Sequence, residues 1–351
     1  MKILQIQFWG DACELTGSVE KVIDGFARMQ FPNVELVIAS LGVRENDTVR
    51  HGKRYIHFQE SYWQNKILNK ILRLGAFTFH DLIRIIEVEK PDIVHFHNRP
   101  EQVDALISKL SYRPVVVIHY HRRFKKFTFA SCADRLLAVS HAVRDSLISA
   151  GADPAVVDVV YNPIPCSIVK GSRQHENDEV VFLYAGGGHR HKGFMEIMEV
   201  VGNDCFQGRA KFLICGPELP IDLPAYPWVE YLGLLKVDRF QEILATADVV
   251  LMPSEHEGFG LVALEALASG KLLISTRGGG LAELVDPSVA LIHEFGDTKS
   301  MYGKITEAID MLTGTNKTHY QYLMKNAEAK IATFSVEAVN TSLVHFYSSL
   351  M

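Results

Sequence analysis

The chain has 351 residues, 48% of them apolar and 22% charged, with a formal net charge of −5; that length suits two domains of ordinary size better than one small core. An acidic balance argues against nucleic acid as the main partner, and no stretch approaches about 18 uninterrupted apolar residues, so no membrane span is expected. The five cysteines, Cys13, Cys132, Cys166, Cys205 and Cys215, are scattered and form no C-x-x-C, which fits a reduced, cytoplasmic setting with neither a disulfide frame nor a zinc site.

From the amino terminus, residues 2–8 form an apolar run too short for a secretory core and read as a first strand. It ends at Phe8-Trp9-Gly10-Asp11, and Thr16-Gly17-Ser18 opens a helix over about 18–29. Further strands are expected at 34–40, 93–96, 115–118 and 136–139, with helices at about 65–89, 102–110 and 141–149. Within 65–89, Lys66, Lys70 and Arg73 fall at helical spacing beside Ile67, Ile71 and Leu74, after Trp63. Such a helix could rest on an anionic membrane surface or be an ordinary solvated face, and both readings stand. A second basic cluster, Arg122, Arg123, Lys125 and Lys126, helps give the chain a charge of +3 through Pro163 against −8 beyond it.

Two His-x-His pairs mark the first half. Alternation puts His95 and His97 on one strand face, and His119 and His121 end the next strand. No carboxylate or thiol stands at ligand spacing, so a metal is not expected there. A core role and an active-site role at strand carboxyl ends both remain.

Tyr161-Asn162-Pro163-Ile164-Pro165 and the polar run 170–179 mark a boundary. Beyond it, strands are expected at 180–185, 211–215, 229–232, 249–252 and 272–275, and helices at about 194–201, 237–246, 261–269 and 280–284. The alternation of strand and helix in both halves predicts two α/β units with mostly parallel sheets. After the strand at 180–185 come Gly186-Gly187-Gly188-His189-Arg190-His191-Lys192-Gly193, a run that lets backbone approach a ligand and sets two cations beside a helix start. After the strand at 249–252 comes Pro253 to Gly270, in which Glu257 precedes a helix that is apolar except for Glu265. A buried carboxylate needs hydrogen-bond donors, and a helix start favours phosphate. Phosphate plus hydroxyls describes a sugar nucleotide. Arg277-Gly278-Gly279-Gly280 reads as a helix-start turn.

The Glu-x7-Glu spacing, with Gly258-Phe259-Gly260 inside it and Glu265-Ala266-Leu267-Ala268-Ser269-Gly270 closing it, resembles the retaining nucleotide-sugar glycosyltransferases of family 4 (glycosyl transferases group 1). The resemblance implies a GT-B fold, two Rossmann-like domains with a cleft between them. They would be an acceptor-binding domain at 1–163 and a nucleotide-sugar domain at 164–333, with a helix at 334–351 packing back on the first. It implies that Glu257 contacts donor-sugar hydroxyls and Glu265 the ribose, and that Gly258, Phe259, Gly260 and Leu261 meet the diphosphate. Arg190 and Lys192 would neutralise the leaving group, beside Gly187 and Gly188. Gly17 would lie near the donor phosphate, and Gly216, Leu234 and Leu235 near the base. His97, in a His-Phe-His-Asn-Arg-Pro-Glu segment similar to that of bacterial surface-polysaccharide members, would sit near the reacting sugar, joined by His119 or His121.

The sequence contains no Asp-x-Asp, the pair with which transferases of the other main fold hold a divalent ion. No metal and no cofactor is therefore expected beyond the donor, with a UDP-sugar favoured. The implied acceptor is a glycan or lipid-linked intermediate of lipopolysaccharide, capsule or O-antigen, and the implied location the cytoplasm, with peripheral contact at the membrane. A nucleotide-sugar epimerase, a phosphorylase and a non-catalytic partner subunit are the alternatives.

Overall fold

The computed structural model describes residues 1–8, 12, 17–42, 47–59, 80–122, 129–165, 168, 179–314 and 317–351. The basic segments at 66–74 and 123–126 lie outside the described residues. The chain divides into two compact units, Met1–Pro163 with Val336–Met351, and Ile164–Ser335.

The first unit contains β1 (Lys2–Gln7), α1 (Ser18–Ala27), β2 (Glu35–Leu41), β3 (Thr48–Arg50), β4 (Lys53–Phe58), α2 (His80–Glu89), β5 (Ile93–His97), α3 (Pro100–Ile107), β6 (Val115–Tyr120), β7 (Arg135–Ala138), α4 (His141–Ser149) and β8 (Val157–Val159). Its sheet has the order β3-β4-β2-β1-β5-β6-β7-β8 and is parallel except for β3 against β4. Strands covered on both faces are apolar almost throughout, as in parallel sheets generally; Ile3, Leu4 and Ile6 of β1 expose nothing. One face of the central strands breaks that rule. The register pairs Gln5 with His95, Gln7 with His97 and His97 with His119, so alternation stacks five polar side chains beneath the covering helices, all of them fully buried.

The second unit contains β9 (Val180–Tyr184), α5 (Phe194–Val201), β10 (Ala210–Cys215), β11 (Val229–Gly233), α6 (Val237–Thr246), β12 (Val249–Met252), α7 (Leu261–Ala268), β13 (Leu272–Ser275), α8 (Leu281–Leu284), β14 (Leu291–Ile292), α9 (Thr298–Thr313) and α10 (Lys317–Ile331). Its sheet, β11-β10-β9-β12-β13-β14, is wholly parallel. The core under it is apolar, built from Phe182, Phe206, Phe212, Trp228, Leu251, Ile274, Ile305 and Leu323 among others. α9 begins where the Asp297 carboxylate accepts from the Ser300 N–H at 2.8 Å and ends at Gly314, with φ 126°. The last helix, α11 (Val336–Ser348), belongs to the first unit, where Val339, Leu343, Phe346 and Tyr347 are buried.

Among the described residues Cys132, Cys205 and Cys215 are free thiols, and no helix is long and apolar enough to cross a membrane.

Candidate functional site

The second sheet is built outward from β9, with β10 and β11 on one side and β12 on the other. Where a parallel sheet reverses its order in this way, the loops beyond the two strands leave in opposite directions and open a crevice, the usual ligand site. The loop after β9 carries Gly186 to Lys192, and the loop after β12 carries Pro253 to Gly260.

Backbone packs on backbone to build the first loop. Gly187 has φ 63°, and a Cβ there would lie 2.1 Å from the Pro217 carbonyl oxygen, so no other residue fits without displacing the main chain. The Gly187 N–H donates to the Cys215 carbonyl at 3.0 Å and the Gly188 N–H to that of Pro217 at 2.9 Å. The Tyr184 hydroxyl donates to the carbonyls of Gly187 (3.0 Å) and Lys192 (3.3 Å), tying the two ends of the turn together. Gly216 lies against this turn, its N–H bonded to the Gly233 carbonyl at 2.8 Å. Beyond it Leu234 projects, 75% exposed, with Leu235 half-buried.

The result is to aim Lys192 at Glu257. The Lys192 ammonium donates to both Glu257 carboxylate oxygens at 2.6 Å, and the Ser254 hydroxyl donates to Oε1 at 3.0 Å. Side-chain exposures of 28% for Lys192 and 11% for Glu257 put the pair where solvent screens little, while an incoming ligand still reaches it. The Glu257 backbone is clamped as well. Its N–H donates to the Gly278 carbonyl at 3.1 Å and its carbonyl accepts from the Gly280 N–H at 2.9 Å. A Cβ on Gly279 would lie 2.4 Å from the Glu257 oxygen. The Gly278-Gly279-Gly280 segment is thus more than the helix-start turn expected of it, because it fixes the acidic loop. The two loops are joined directly by Glu255 N–H to the His191 carbonyl at 2.9 Å.

Arg190 stands exposed one turn position before this pair. The rings of His189, His191 and His256 line up beside it with centroids 5.5 Å apart at each step. Burial, then the nearby Lys192 charge, holds His191 below its ordinary pKa, so it is neutral at pH 7. At the foot of the acidic loop, Gly260 (φ 104°) starts α7, Phe259 is buried edge-on against Phe334 at 5.5 Å, and Gly258 and Leu261 are half-buried. The first-turn N–H groups of α7 have no carbonyl within the helix to pair with. Glu265 exposes nothing, and its Oε1 accepts from the Gln241 amide at 3.0 Å.

Ser254, Tyr184 and Gln241 were not apparent as site residues. Ser254 had a signal, its position three residues before Glu257; Gln241 and Tyr184 act across the fold, and nothing in local spacing points to them.

In the first unit, Gly17 precedes α1, where the Glu20 carboxylate fills the space a Cβ would take, 2.4 Å away. His97 and His119 expose nothing. This differs from the expectation that they line the reacting sugar: β5 and β6 are interior strands, and Phe26 of α1 covers both rings at centroid distances of 6.4 and 6.1 Å. Of the three predicted histidines only His121, one residue past β6, is partly exposed. Its Nε2 lies 2.8 Å from His97 Nδ1.

Residues 27–168 match the family model described as Glycosyltransferase Family 4, and residues 179–311 that described as Glycosyl transferases group 1. The chain is 26% identical over 306 residues to an uncharacterized glycosyltransferase of Methanocaldococcus jannaschii, covering 79% of this chain and 84% of that protein. It is 27% identical to the lipopolysaccharide 1,6-galactosyltransferase of Escherichia coli K12 over 49% of this chain and 51% of that one. Among solved structures, Anabaena HepE in complex with UDP and glucose aligns with a TM-score of 0.75 at 18% identity, over 99% of this chain and 100% of that one. Sucrose-phosphate synthase from Thermosynechococcus elongatus aligns at 0.73 and 17%, over 99% and 98%.

Proposed function

The chain belongs to the group-1, family-4 glycosyltransferases and has the GT-B fold, and we propose that it transfers a sugar from a nucleotide-diphosphate sugar, UDP-linked, to a glycan or lipid-linked acceptor of bacterial surface polysaccharide synthesis, with retention at the anomeric carbon. The observation that carries the donor reading is the Lys192–Glu257 pair at the switch point of the second sheet. An arriving diphosphate takes the Lys192 ammonium, and Glu257 is released to accept hydrogen bonds from sugar hydroxyls. Arg190 and the N-terminal turn of α7, through Gly258 to Leu261, complete the phosphate site. These donors meet the negative charge that develops on the departing phosphate, so the chemistry on the diphosphate needs no divalent ion. Glu265, oriented by Gln241, accepts from the ribose. Gly187, Gly188, Gly216 and the Leu234-Leu235 segment carry the base through their backbone. In the first unit His121 is the histidine that touches the sugar and His97 positions it. The UDP assignment is supported by HepE, a fold relative solved with UDP-glucose, and the acceptor class by the likeness to the E. coli lipopolysaccharide enzyme.

A thermal-shift screen against UDP-, GDP- and ADP-sugars, followed by nucleotide release with and without lipid-linked glycan, tests this. Stabilisation by UDP-sugars with acceptor-dependent release is expected. Conversion of the sugar without nucleotide release would instead identify an epimerase.

A further inference from the structure

The first unit holds a histidine cluster of which the transferase reading uses only His97, and that only through its contact with His121. One ring nitrogen from each of His95, His97 and His119 lies within 4.8 Å of the others, and all three side chains are completely buried. His95 Nε2 and both ring nitrogens of His119 have no hydrogen-bond partner among the described residues. Leaving three imidazole nitrogens unpaired in a protein core is costly, and such groups call for an explanation. The remaining nitrogens are spoken for in a way that suits ligation. His95 Nδ1 lies 2.6 Å from the Tyr347 hydroxyl, and His97 Nδ1 lies 2.8 Å from His121 Nε2. Ligating histidines characteristically give their second N–H to such a partner, which fixes the tautomer and turns the other lone pair toward the ion. With Nδ1 of both rings so engaged, Nε2 is the ligating atom of His95 and His97; the competing contact, His97 Nε2 to Gln5 Oε1, is a long 3.4 Å.

We propose that His95, His97 and His119 bind one late first-row divalent cation of the zinc type, held by the first unit alone, which ties β5 to β6 and, through Tyr347, to α11. Three neutral imidazoles suit zinc, with a water as the fourth ligand. Around a tetrahedral ion with bonds of about 2.0–2.1 Å, neighbouring nitrogens lie roughly 3.4 Å apart, so the rings must close in. The His95 and His97 rings, stacked 4.6 Å apart at 19°, must also turn edge-on to the ion. In the sequence the pairs lacked a carboxylate or thiol at ligand spacing; it is the His97–His119 strand register that supplies the third ligand.

The test uses the full chain, freed of any purification tag, stripped with chelator and dialysed against micromolar Zn²⁺, above the dissociation constants that protein zinc sites of about 10 kcal/mol or more imply. Bound metal is then counted by mass spectrometry. In parallel, Co²⁺ is added and the visible spectrum recorded. His119→Phe keeps a flat ring against Phe26 and removes only the unpaired nitrogens, so it should fold at least as well as the parent. One zinc per chain, a tetrahedral Co²⁺ band and a raised Tm in the parent are expected, with zinc affinity lowered at least tenfold and no Tm response in His119→Phe. A parent that binds no stoichiometric zinc, or an ion that survives His119→Phe, overturns the assignment. Should that variant not fold, His95→Gln, read by the same Co²⁺ band, serves in its place. Because the readout is metal content, failure here leaves the transferase reading standing, and failure of donor binding leaves this one standing.

Discussion

The two units place their polar chemistry in opposite ways. In the second, the strands are apolar and the charges sit on the loops beyond β9 and β12, where Lys192 and Glu257 meet. In the first, a polar layer of Gln5, Gln7, His95, His97 and His119 lies on the sheet itself, sealed by helices. A charge on a loop can exchange its protein partner for a ligand at little cost to the fold. A polar layer in the core cannot be disturbed without touching stability. Substitutions of the charged loop residues of the second unit should therefore act on turnover, and those in the buried polar layer of the first on stability.

The sharpest way to break that contrast is Lys192→Ala. Removing one preorganised donor to a developing oxyanion costs about 10²–10³ in kcat. Steady-state nucleotide release should fall by that factor with the Tm changed by only a few degrees, since Lys192 is partly exposed and Ser254 still holds Glu257. A kcat within threefold of the parent would remove the pair from the chemistry.

Gly187→Ala probes where the contrast ends, because this residue serves the site through the fold. The added Cβ meets the Pro217 carbonyl at 2.1 Å with φ at 63°, and strain of about 1–3 kcal/mol is expected. Gly151→Ala is the control, with φ 105° but nothing within 4 Å. Chemical denaturation should rank Gly187→Ala as the more damaging; equal losses would mean the turn yields freely.

The same contrast governs what was legible in the sequence. The second unit's site could be read because glycines, cations and carboxylates punctuate apolar runs within short windows: Gly186 to Gly193, and Glu257 to Glu265. Its core strands, such as Val249–Met252 and Leu272–Ser275, coincide with the expected bounds. The helices α9 and α10 were not anticipated; α10 buries only Leu323 and Ala327, which leaves a weak periodic stripe. Strands β3, β8 and β14, two or three residues long, are too short for alternation to register. In the first unit the histidines were visible as pairs, but their enclosure was not. That depends on strand register and on Tyr347, 252 positions from His95 in the chain, and neither leaves a local trace.

Tyr347→Phe tests that long-range closure. The hydroxyl bridges Gln5 (3.1 Å) and His95 (2.6 Å), and its loss leaves both without that partner. A destabilisation of about 1–2 kcal/mol is expected, read as a lower denaturant midpoint with kcat unchanged. An unaltered midpoint would show that α11 is held without this hydroxyl, by its apolar contacts and the Asn340 amide, which donates to the Gln30 carbonyl at 3.1 Å.

Glu20→Gln gives the smallest effect and the one whose sign depends on pH. Burial holds the Glu20 carboxyl above its ordinary value, against the lowering influence of its own N–H, the Gln7 amide at 3.1 Å and the Gly17 N–H. The folded chain therefore binds a proton more tightly at this site than the unfolded chain does. The stabilisation this confers is fully present below the unfolded carboxyl value and is lost as pH rises through the folded one. Glutamine keeps the amide contact and carries no charge at any pH. At pH 4 the variant and the parent should unfold at the same urea concentration. At pH 7.5 the variant should be the more stable, because the parent there carries a buried charge that glutamine lacks. A gap that does not change with pH would mean that Glu20 is solvated as an ordinary surface carboxylate, and that the polar layer of the first unit opens to water where α1 meets β1.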